Sequence, residues 1–556
     1  MAGYDYVVVG AGSAGCILAH RLSTQSDVSV CMLEAGPTAN SLIIRMPAAL
    51  TFPIESKIYN WRYTSEPEPH LNNRQLGQAR GRGLGGSSAI NGMVWVRGNP
   101  KDYDAWMEFG LDGWSYSDCL PYFKRLETFH GTPAPERGRD GLMSIVESKG
   151  DHVFYDRFLR AGEAWGLPQA RDYNSGLQEG THLTQANIKN GVRCSAAEAY
   201  LRPIQDRANL TVLTNVFVNK LRLSGLKATG VECVINGENQ MIEARREVIL
   251  CTGTIASPQL LMLSGIGPAD HLRAHGINVE HDLPGVGENL QDHIVAPLRY
   301  SCKKPVSISN QLGPLGRARI GLEWLLFKRG LGASNFFEVG AFFDSGSGAP
   351  FINMQHEFLG FLADFQDGKV VLGDGFQYFV SQMRPYSRGC IRLKSADPKS
   401  HPAIHFNYLD DQRDVSEMVD GIKRTREMAA QKPWDEFRSA SLDPDLDGAS
   451  DAGIVAWLRN NANTEHHPCG TCRMGTDAMA VTDGNGRVRG IDGLRVIDGS
   501  IMPRIPTANI QAPIMMVAEK IADGMVPKGR LVCAYPRAQT VQEAAIYLEV
   551  VGDSVG

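Results

Sequence analysis

The chain has 556 residues, too many for one compact core, so two or more domains are expected. An apolar share of 43% and a charged share of 21% indicate an ordinary globular protein. The net charge of -5 and the lack of a long basic run argue against nucleic-acid binding, and no apolar stretch is long enough to span a membrane. The predicted first strand begins too early to leave room for a signal peptide. The 11 scattered cysteines, an odd number, indicate reduced thiols and a cytoplasmic protein.

The first 36 residues predict a dinucleotide-binding unit. An apolar strand over 4–9 runs into a glycine turn and a helix, and a second strand ends at Glu34. Gly10 permits the tight turn, Gly12 lets a pyrophosphate approach the backbone, and Gly15 lets the helix pack on the sheet. Glu34 lies 19 residues after Gly15, where its carboxylate can accept hydrogen bonds from ribose hydroxyls. The pattern leaves open whether the dinucleotide is a nicotinamide or a flavin.

Later elements predict a second domain inserted into the first. Residues 205–250 read as a strand meander, and the apolar strand 248–251 returns to the first sheet. Aromatic-rich strands at 336–337, 342–343 and 376–379, with a charged helix near 413–431, indicate a largely antiparallel domain. A strand over 494–498 and an amphipathic helix over 512–525 return to the first domain, and a helix is predicted over 541–550.

Two glycine-containing segments carry further chemistry. The first, residues 81–91, has four glycines and two serines within eight positions and ends at Asn91. Its backbone can lie flat against a cofactor, although a flexible surface loop is the alternative. The second, residues 253–267, is a strand-to-helix turn.

These two segments resemble the signature patterns of the glucose–methanol–choline (GMC) oxidoreductases. The agreement extends to residues 285–293, 467–475 and 498–500, and covers the chain from about residue 4 to about 526. Residues 60–73 and 97–104 look like the choline dehydrogenase branch. The resemblance implies an α/β Rossmann-like FAD-binding domain with an inserted α+β substrate domain built on an antiparallel sheet. The chain is predicted to divide as follows: residues 1–155, 191–298 and 463–526 form the FAD-binding domain, and residues 156–190 and 299–462 form the substrate domain. Residues 527–556 form a tail.

The resemblance also implies the cofactor, FAD, and its binding residues. They are Gly10, Gly12, Ser13, Ala14, Gly15, Glu34 and Ala35 for the ADP half, Gly85, Ser88, Asn91, Gly92, Met93 and Val94 along the flavin ring and ribityl chain, Val216 near the adenine, and Thr252, Gly253, Asp498, Gly499, Asn509 and Gln511 to complete the set. Some relatives attach FAD through a histidine just before the Asn91 position. This chain has Ile90 there, which predicts non-covalent FAD.

His467 is the predicted catalytic base. Oxidation of an alcohol requires removal of the hydroxyl proton while hydride leaves the carbon, and a neutral imidazole suits the first task. The second active-site position of the family falls by alignment on Gln511, which cannot act as a second base. Ile90, Glu465 and His466 are candidates for the substrate pocket. Glu465 can attract a cationic substrate or lie on the surface, and His466 can line the pocket or face away.

The predicted function is FAD-dependent oxidation of a small primary alcohol to the aldehyde, with oxygen or a quinone or redox dye as acceptor. The substrate can be a choline-like, aromatic, pyridoxine-like or aliphatic alcohol. A homo-oligomer is also possible. The alternatives are a hydroxynitrile lyase that keeps FAD as structure and a flavin photodecarboxylase. The pair Cys469-x-x-Cys472 is explained by the family pattern, and no metal site is predicted.

Overall fold

The computed structural model describes residues 3–366 and 369–526. The predicted tail and its helix over 541–550 lie outside the described residues. Two seven-stranded sheets organise the described chain.

The first sheet is built around the N-terminal strand. Its strand order is Leu210–Thr214, Val30–Glu34, Gly3–Val9, Glu238–Leu250, Lys227–Ile235 and Phe217–Ser224, with Leu494–Val496 also pairing with Glu238–Leu250. The first four strands and Leu494–Val496 pair in parallel, and the meander strands pair antiparallel. Val9 lies opposite Leu250, so the apolar strand near 250 does return to the first sheet, as predicted.

Apolar helices cover this sheet. Ser13–Leu22 packs against Gln511–Met525 with Ile17 and Leu18 fully buried, and Gly253–Leu263 follows the central strand. The sharp glycine turn at the carboxyl end of Gly3–Val9 places the N-terminus of Ser13–Leu22 at the edge of the sheet where ligands bind in such folds.

The second sheet is antiparallel. Its order is Arg438–Ser441, Ile294–Cys302, Gly375–Gln382, Met354–Leu359, Val339–Phe343 and Gly180–Leu183, with Asn463–Thr464 also pairing with Ile294–Cys302. Side chains alternate between its faces. On one face His356 and Phe358 are buried near the helices Val153–Trp165 and Gln412–Ala429, whereas Glu357 and Leu359 point to the opposite face, into a cavity.

One strand prediction is wrong. Phe336 and Phe337 precede the strand Val339–Phe343, and Phe336 has a φ of 66, outside the extended region. The α/β and antiparallel-sheet class is confirmed. The segment boundaries predicted from the sequence stay predictions.

The remaining elements are short or peripheral. The helices are Leu42–Arg45, Thr51–Glu55, Pro100–Asp104, Tyr116–Leu126, Ala269–Ala274, Pro314–Phe327 and Asp451–Asn461. The smaller sheets pair Tyr63–Thr64 with Gly77–Gln78, Glu127–Phe129 and Gln185–Ala186 with Met143–Glu147, Ile188–Lys189 with Val192–Arg193, Ile266–Gly267 with His281–Asp282, Leu362–Gln366 with Lys369–Gly373, and Cys390–Arg392 with Ala403–His405. Across the described residues, no helix combines the length and apolarity needed to cross a bilayer.

Candidate active site

A cavity of about 1180 Å³ lies between the two sheets. The first sheet contributes its glycine turn, and the second contributes the face that carries Glu357. All the predicted cofactor and pocket residues line this cavity except Gly15 and Gly85, which pack behind it. The residues that the sequence predicts for cofactor and substrate therefore meet in one cavity.

The glycine turn forms a cradle that the side chain of any other residue would obstruct. Gly10 has a φ of 98, and a Cβ there would lie 2.5 Å from the carbonyl oxygen of Cys251. A Cβ on Gly15 would lie 2.0 Å from the carbonyl oxygen of Gly10. Gly12 caps the helix Ser13–Leu22 without a side-chain hydrogen bond, so the first backbone N–H groups of the helix remain available to an anion.

The second glycine segment closes over the first. Gly86 has a φ of 52, and a Cβ there would lie 2.7 Å from the Cα of Gly12. Gly85 donates its N–H to the carbonyl of Ala11 at 2.8 Å. The flexible-loop alternative for residues 81–91 is therefore not what the structure shows, since this backbone is fixed directly against the cradle.

Two buried carboxylates border the cradle. Glu34 accepts backbone N–H groups from Ala11, Gly36 and Gly83 at 2.8–2.9 Å. Asp498 accepts the N–H of Gly253 at 2.8 Å and the hydroxyl of Ser257 at 2.6 Å. Burial raises the pKa of both carboxyls, against the opposing effect of these hydrogen bonds.

These features fit FAD. The close-packed glycines leave room for a pyrophosphate, the helix N-terminus offers donors to its charge, and Glu34 can receive a ribose hydroxyl. FAD, when bound, supplies the acceptor for a hydride.

His467 faces the cavity and is held by a second histidine. Its Nδ1 lies 3.1 Å from Nδ1 of His293, whose Nε2 lies 3.0 Å from the carbonyl oxygen of Met383. A carbonyl only accepts, so we assign the proton of His293 to Nε2, which leaves its Nδ1 as an acceptor. The proton of His467 is then on Nδ1, and its Nε2 lone pair faces the cavity.

Burial keeps both rings neutral. Desolvation lowers the pKa of His293 to about 3. Burial is the main cause that holds the pKa of His467 well below 6.5, and unfavourable electrostatic interactions with His293, Arg80 and His466 lower it further. Neutral His467 is the form that can take a proton.

Asp292 fixes the backbone at His467. Its Oδ1 accepts the N–H of His467 at 2.7 Å, and its Oδ2 accepts side-chain donors from Gln78 at 3.0 Å, Thr464 at 2.5 Å and Tyr408 at 2.6 Å. The position of the imidazole is thus set by a buried carboxylate outside the cavity.

Asn509, rather than Gln511, contacts the imidazole. Nδ2 of Asn509 lies 3.4 Å from Nε2 of His467 and 2.9 Å from Oε1 of Glu357, and its Oδ1 accepts from Gln355 at 3.1 Å. These partners fix the orientation of the amide, with one N–H donating to Glu357 and the other directed toward the imidazole. Gln511 is the first residue of its helix, and its Oε1 accepts from Asn91.

Glu465 and Glu357 share one side of the cavity. Glu465 accepts the hydroxyl of Ser381, which lies opposite Gln355 in the sheet. Burial and the neighbouring charge of Glu357 raise the pKa of Glu465 well above its ordinary value, and burial raises that of Glu357. Of the two alternatives for Glu465, the structure places it in the cavity.

His466 also lines the cavity, in a left-handed backbone conformation with a φ of 62. Burial and Arg80 lower its pKa to about 3. The backbone carbonyl of His466 accepts from Nη2 of Arg80, and its N–H bonds Thr464 at 2.8 Å.

Sequence reasoning gave no role to His293, Glu357, Ser381 or Arg80. His293 belongs to the 285–293 motif that carried the resemblance, so a signal existed for it. Glu357 and Ser381 reach the site only through strand register and had no local signal.

In the described part of the chain, Cys469 and Cys472 have no further candidate metal ligands grouped with them. No group of three or more potential ligands occurs among the described residues. Cys469 and Cys472 are buried free thiols, as are most of the ten cysteines described.

Comparison with known proteins agrees with this geometry. The GMC oxidoreductase family description matches residues 4–295 with its N-terminal part and 385–518 with its C-terminal part. The chain is similar to oxygen-dependent choline dehydrogenase 1 of Chromohalobacter salexigens, with 46% identity, and to the oxygen-dependent choline dehydrogenase of Pectobacterium carotovorum, with 45% identity, over 94% of each chain in both cases. Pyridoxine 4-oxidase from Mesorbium loti has a similar structure, with a TM-score of 0.85 and 30% identity over 94% of this chain and 99% of its own.

Proposed function

Because this chain belongs to the GMC oxidoreductase family, whose members carry FAD, we propose that it oxidises a small primary alcohol that bears a cationic nitrogen, with His467 as the base. Oxidation of an alcohol with FAD is the function that its relatives support, and they do not favour the lyase or photodecarboxylase alternatives.

The proton of the alcohol moves to Nε2 of His467. The hydrogen bond from Nδ1 of His467 to His293 leaves Nε2 unprotonated and aimed into the cavity. The N–H of Asn509 that is not bonded to Glu357 lies near Nε2 of His467 and donates a hydrogen bond to the alcohol oxygen, which favours the partial negative charge of that oxygen as the proton leaves. Asn509 is a hydrogen-bond donor in this proposal, and Gln511 supports Asn91.

The neighbouring carboxyl groups of Glu357 and Glu465 support the proposal that the substrate is cationic. Glu357 and Glu465 face one low-dielectric cavity, where two adjacent carboxylates do not both ionise. A cationic nitrogen stabilises both ionised forms, so its binding releases the shared proton to solvent. Phe337 and Phe379, with ring centroids 6.3 Å apart, line the same cavity and suit the alkyl groups around such a nitrogen.

Matched alcohols test the substrate class. Choline and 3,3-dimethylbutan-1-ol have the same shape, and only choline is charged. Anaerobic flavin bleaching should be at least about tenfold more efficient with choline, and Glu465→Gln should remove most of that preference. Glu68→Gln, a buried glutamate outside the cavity lining, should leave it unchanged. Faster bleaching by the neutral alcohol or by benzyl alcohol would overturn the cationic class and leave alcohol oxidation standing.

Non-covalent FAD is part of the proposal. Ile90 lines the cavity, packs among apolar neighbours and has no nucleophilic atom that can bond to a flavin. Acid precipitation should therefore release all the yellow colour, whereas colour retained in the pellet would contradict non-covalent binding.

The proposed electron acceptor is oxygen or a quinone or redox dye. The free cysteines support a reducing cytoplasmic location.

A further inference from the structure

The helix Pro314–Phe327 presents apolar side chains to solvent. It packs inward through Ile320 and Trp324, and Trp324 anchors it by donating to the carbonyl of Gly191 at 2.7 Å. A surface helix ordinarily turns polar residues outward. Here the outward positions hold Leu315, Leu322, Leu325, Leu326 and Phe327, with Leu315 89% exposed and Phe327 60% exposed.

A neighbouring segment extends this surface. Leu42 and Phe52 are both more than half exposed, on short helices that lie beside the turn after Pro314–Phe327. Gly332 of that turn lies against both Met46 and Trp324, since a Cβ there would be 3.0 Å and 2.5 Å from their nearest atoms. We call these exposed side chains of the two segments the apolar mouth face.

Basic side chains flank the apolar residues of the helix Pro314–Phe327. Arg317, Arg319 and Arg329 are exposed, and Lys328 follows the helix. The one acidic residue of this stretch, Glu323, pairs with Arg329 at 3.4 Å. On the neighbouring segment the exposed Glu55 is matched by the exposed Lys57, so basic residues outnumber acidic ones across the face although the whole chain has a net charge of -5.

We propose that the apolar mouth face docks on an anionic lipid surface. Leucine and phenylalanine side chains enter the interfacial region of a bilayer while arginine and lysine pair with anionic headgroups. A second copy of this chain is a poorer occupant, because a two-fold contact would bring the same basic residues of both copies together. Long stems let the arginines reach past the leucines to the headgroups.

Docking gives the cavity access to the bilayer. Phe52 and Arg317 belong to this surface and also line the cavity, so the cavity opens at the docking face. A lipid-soluble electron acceptor then enters the cavity without crossing water.

Vesicle flotation of the full-length holoenzyme tests the proposal. The wild type should float with phosphatidylcholine vesicles that contain phosphatidylglycerol, less with phosphatidylcholine alone, and less at raised salt. The double variant Leu322→Ser/Leu326→Ser should lower partitioning by at least about tenfold, and Arg319→Gln/Arg329→Gln should remove the dependence on anionic lipid.

A matched control removes two exposed leucines elsewhere. Leu177→Ser/Leu226→Ser should float like the wild type. Activity with a water-soluble alcohol and dye should stay unchanged in every variant, which shows that each folds. Failure of the wild type to float, equal loss in the control, or a wild-type oligomer that Leu322→Ser/Leu326→Ser dissociates without effect on flotation would overturn the proposal.

Discussion

Replacement of His293 by leucine should slow alcohol oxidation without removing FAD. His293 lies outside the cavity lining and acts through His467, whose Nδ1–H it accepts at 3.1 Å. Leucine leaves that N–H without its partner and lets the proton move to Nε2, where it blocks proton transfer. Loss of one partner from a buried polar group costs about 1–3 kcal/mol, which corresponds to a rate about 5- to 150-fold lower.

The assay is anaerobic stopped-flow bleaching of flavin absorbance at saturating alcohol. His293→Gln should recover much of the rate, since its amide oxygen can accept from His467 and its N–H can donate to Met383. His356→Gln is the control, because His356 is an equally buried histidine, in the strand Met354–Leu359, and also lies outside the cavity lining. An FAD-replete His293→Leu enzyme that reduces its flavin at the wild-type rate would refute the assigned tautomer.

Three more predictions follow from the site. Since the pKa of His467 is held well below 6.5 and the neutral ring is the active form, the rate of flavin reduction should stay level as the pH falls through 6.5, and an acid limb centred there would contradict this burial effect. Asn509→Leu should lower the reduction rate by about 10–100-fold with FAD content unchanged, more than Gln511→Leu does; the reverse order would return the second catalytic role to Gln511. Gly86→Val should abolish FAD binding, measured as the flavin-to-protein absorbance ratio, while Gly77→Val, which meets nothing within 4 Å, should not.

The sequence was sufficient for features that depend on local pattern. The glycine turn at Gly10, the loop through Asn91 and the motif around His467 each combine residue type with fixed spacing, and such patterns constrain the backbone directly. That is why the fold class and the cavity were predictable.

The sequence could not predict which side chains contact His467, because that depends on the directions in which they point. Asn509 and Gln511 are two residues apart, and their directions depend on the helix starting at Gln511. Asn509 lies in the loop before the helix and is directed toward His467, whereas Gln511, the first helical residue, points to Asn91. No pattern of residue types distinguishes these two amides.

Long-range register was also beyond the sequence. Glu357 meets Glu465 because Met354–Leu359 pairs with Gly375–Gln382 in one register, which puts Ser381 opposite Gln355. A shift of one residue would turn Glu357 away from the cavity. Similarly, Phe336 appeared to extend a strand, but its positive φ ends the extended backbone before Val339.

The central claim is that His467 removes the alcohol proton, and its most direct test is anaerobic flavin reduction by wild type and His467→Ala at matched FAD content. The variant should reduce its flavin about 10²–10⁴-fold more slowly with the same alcohol. An FAD-replete His467→Ala enzyme that bleaches at the wild-type rate would contradict the account.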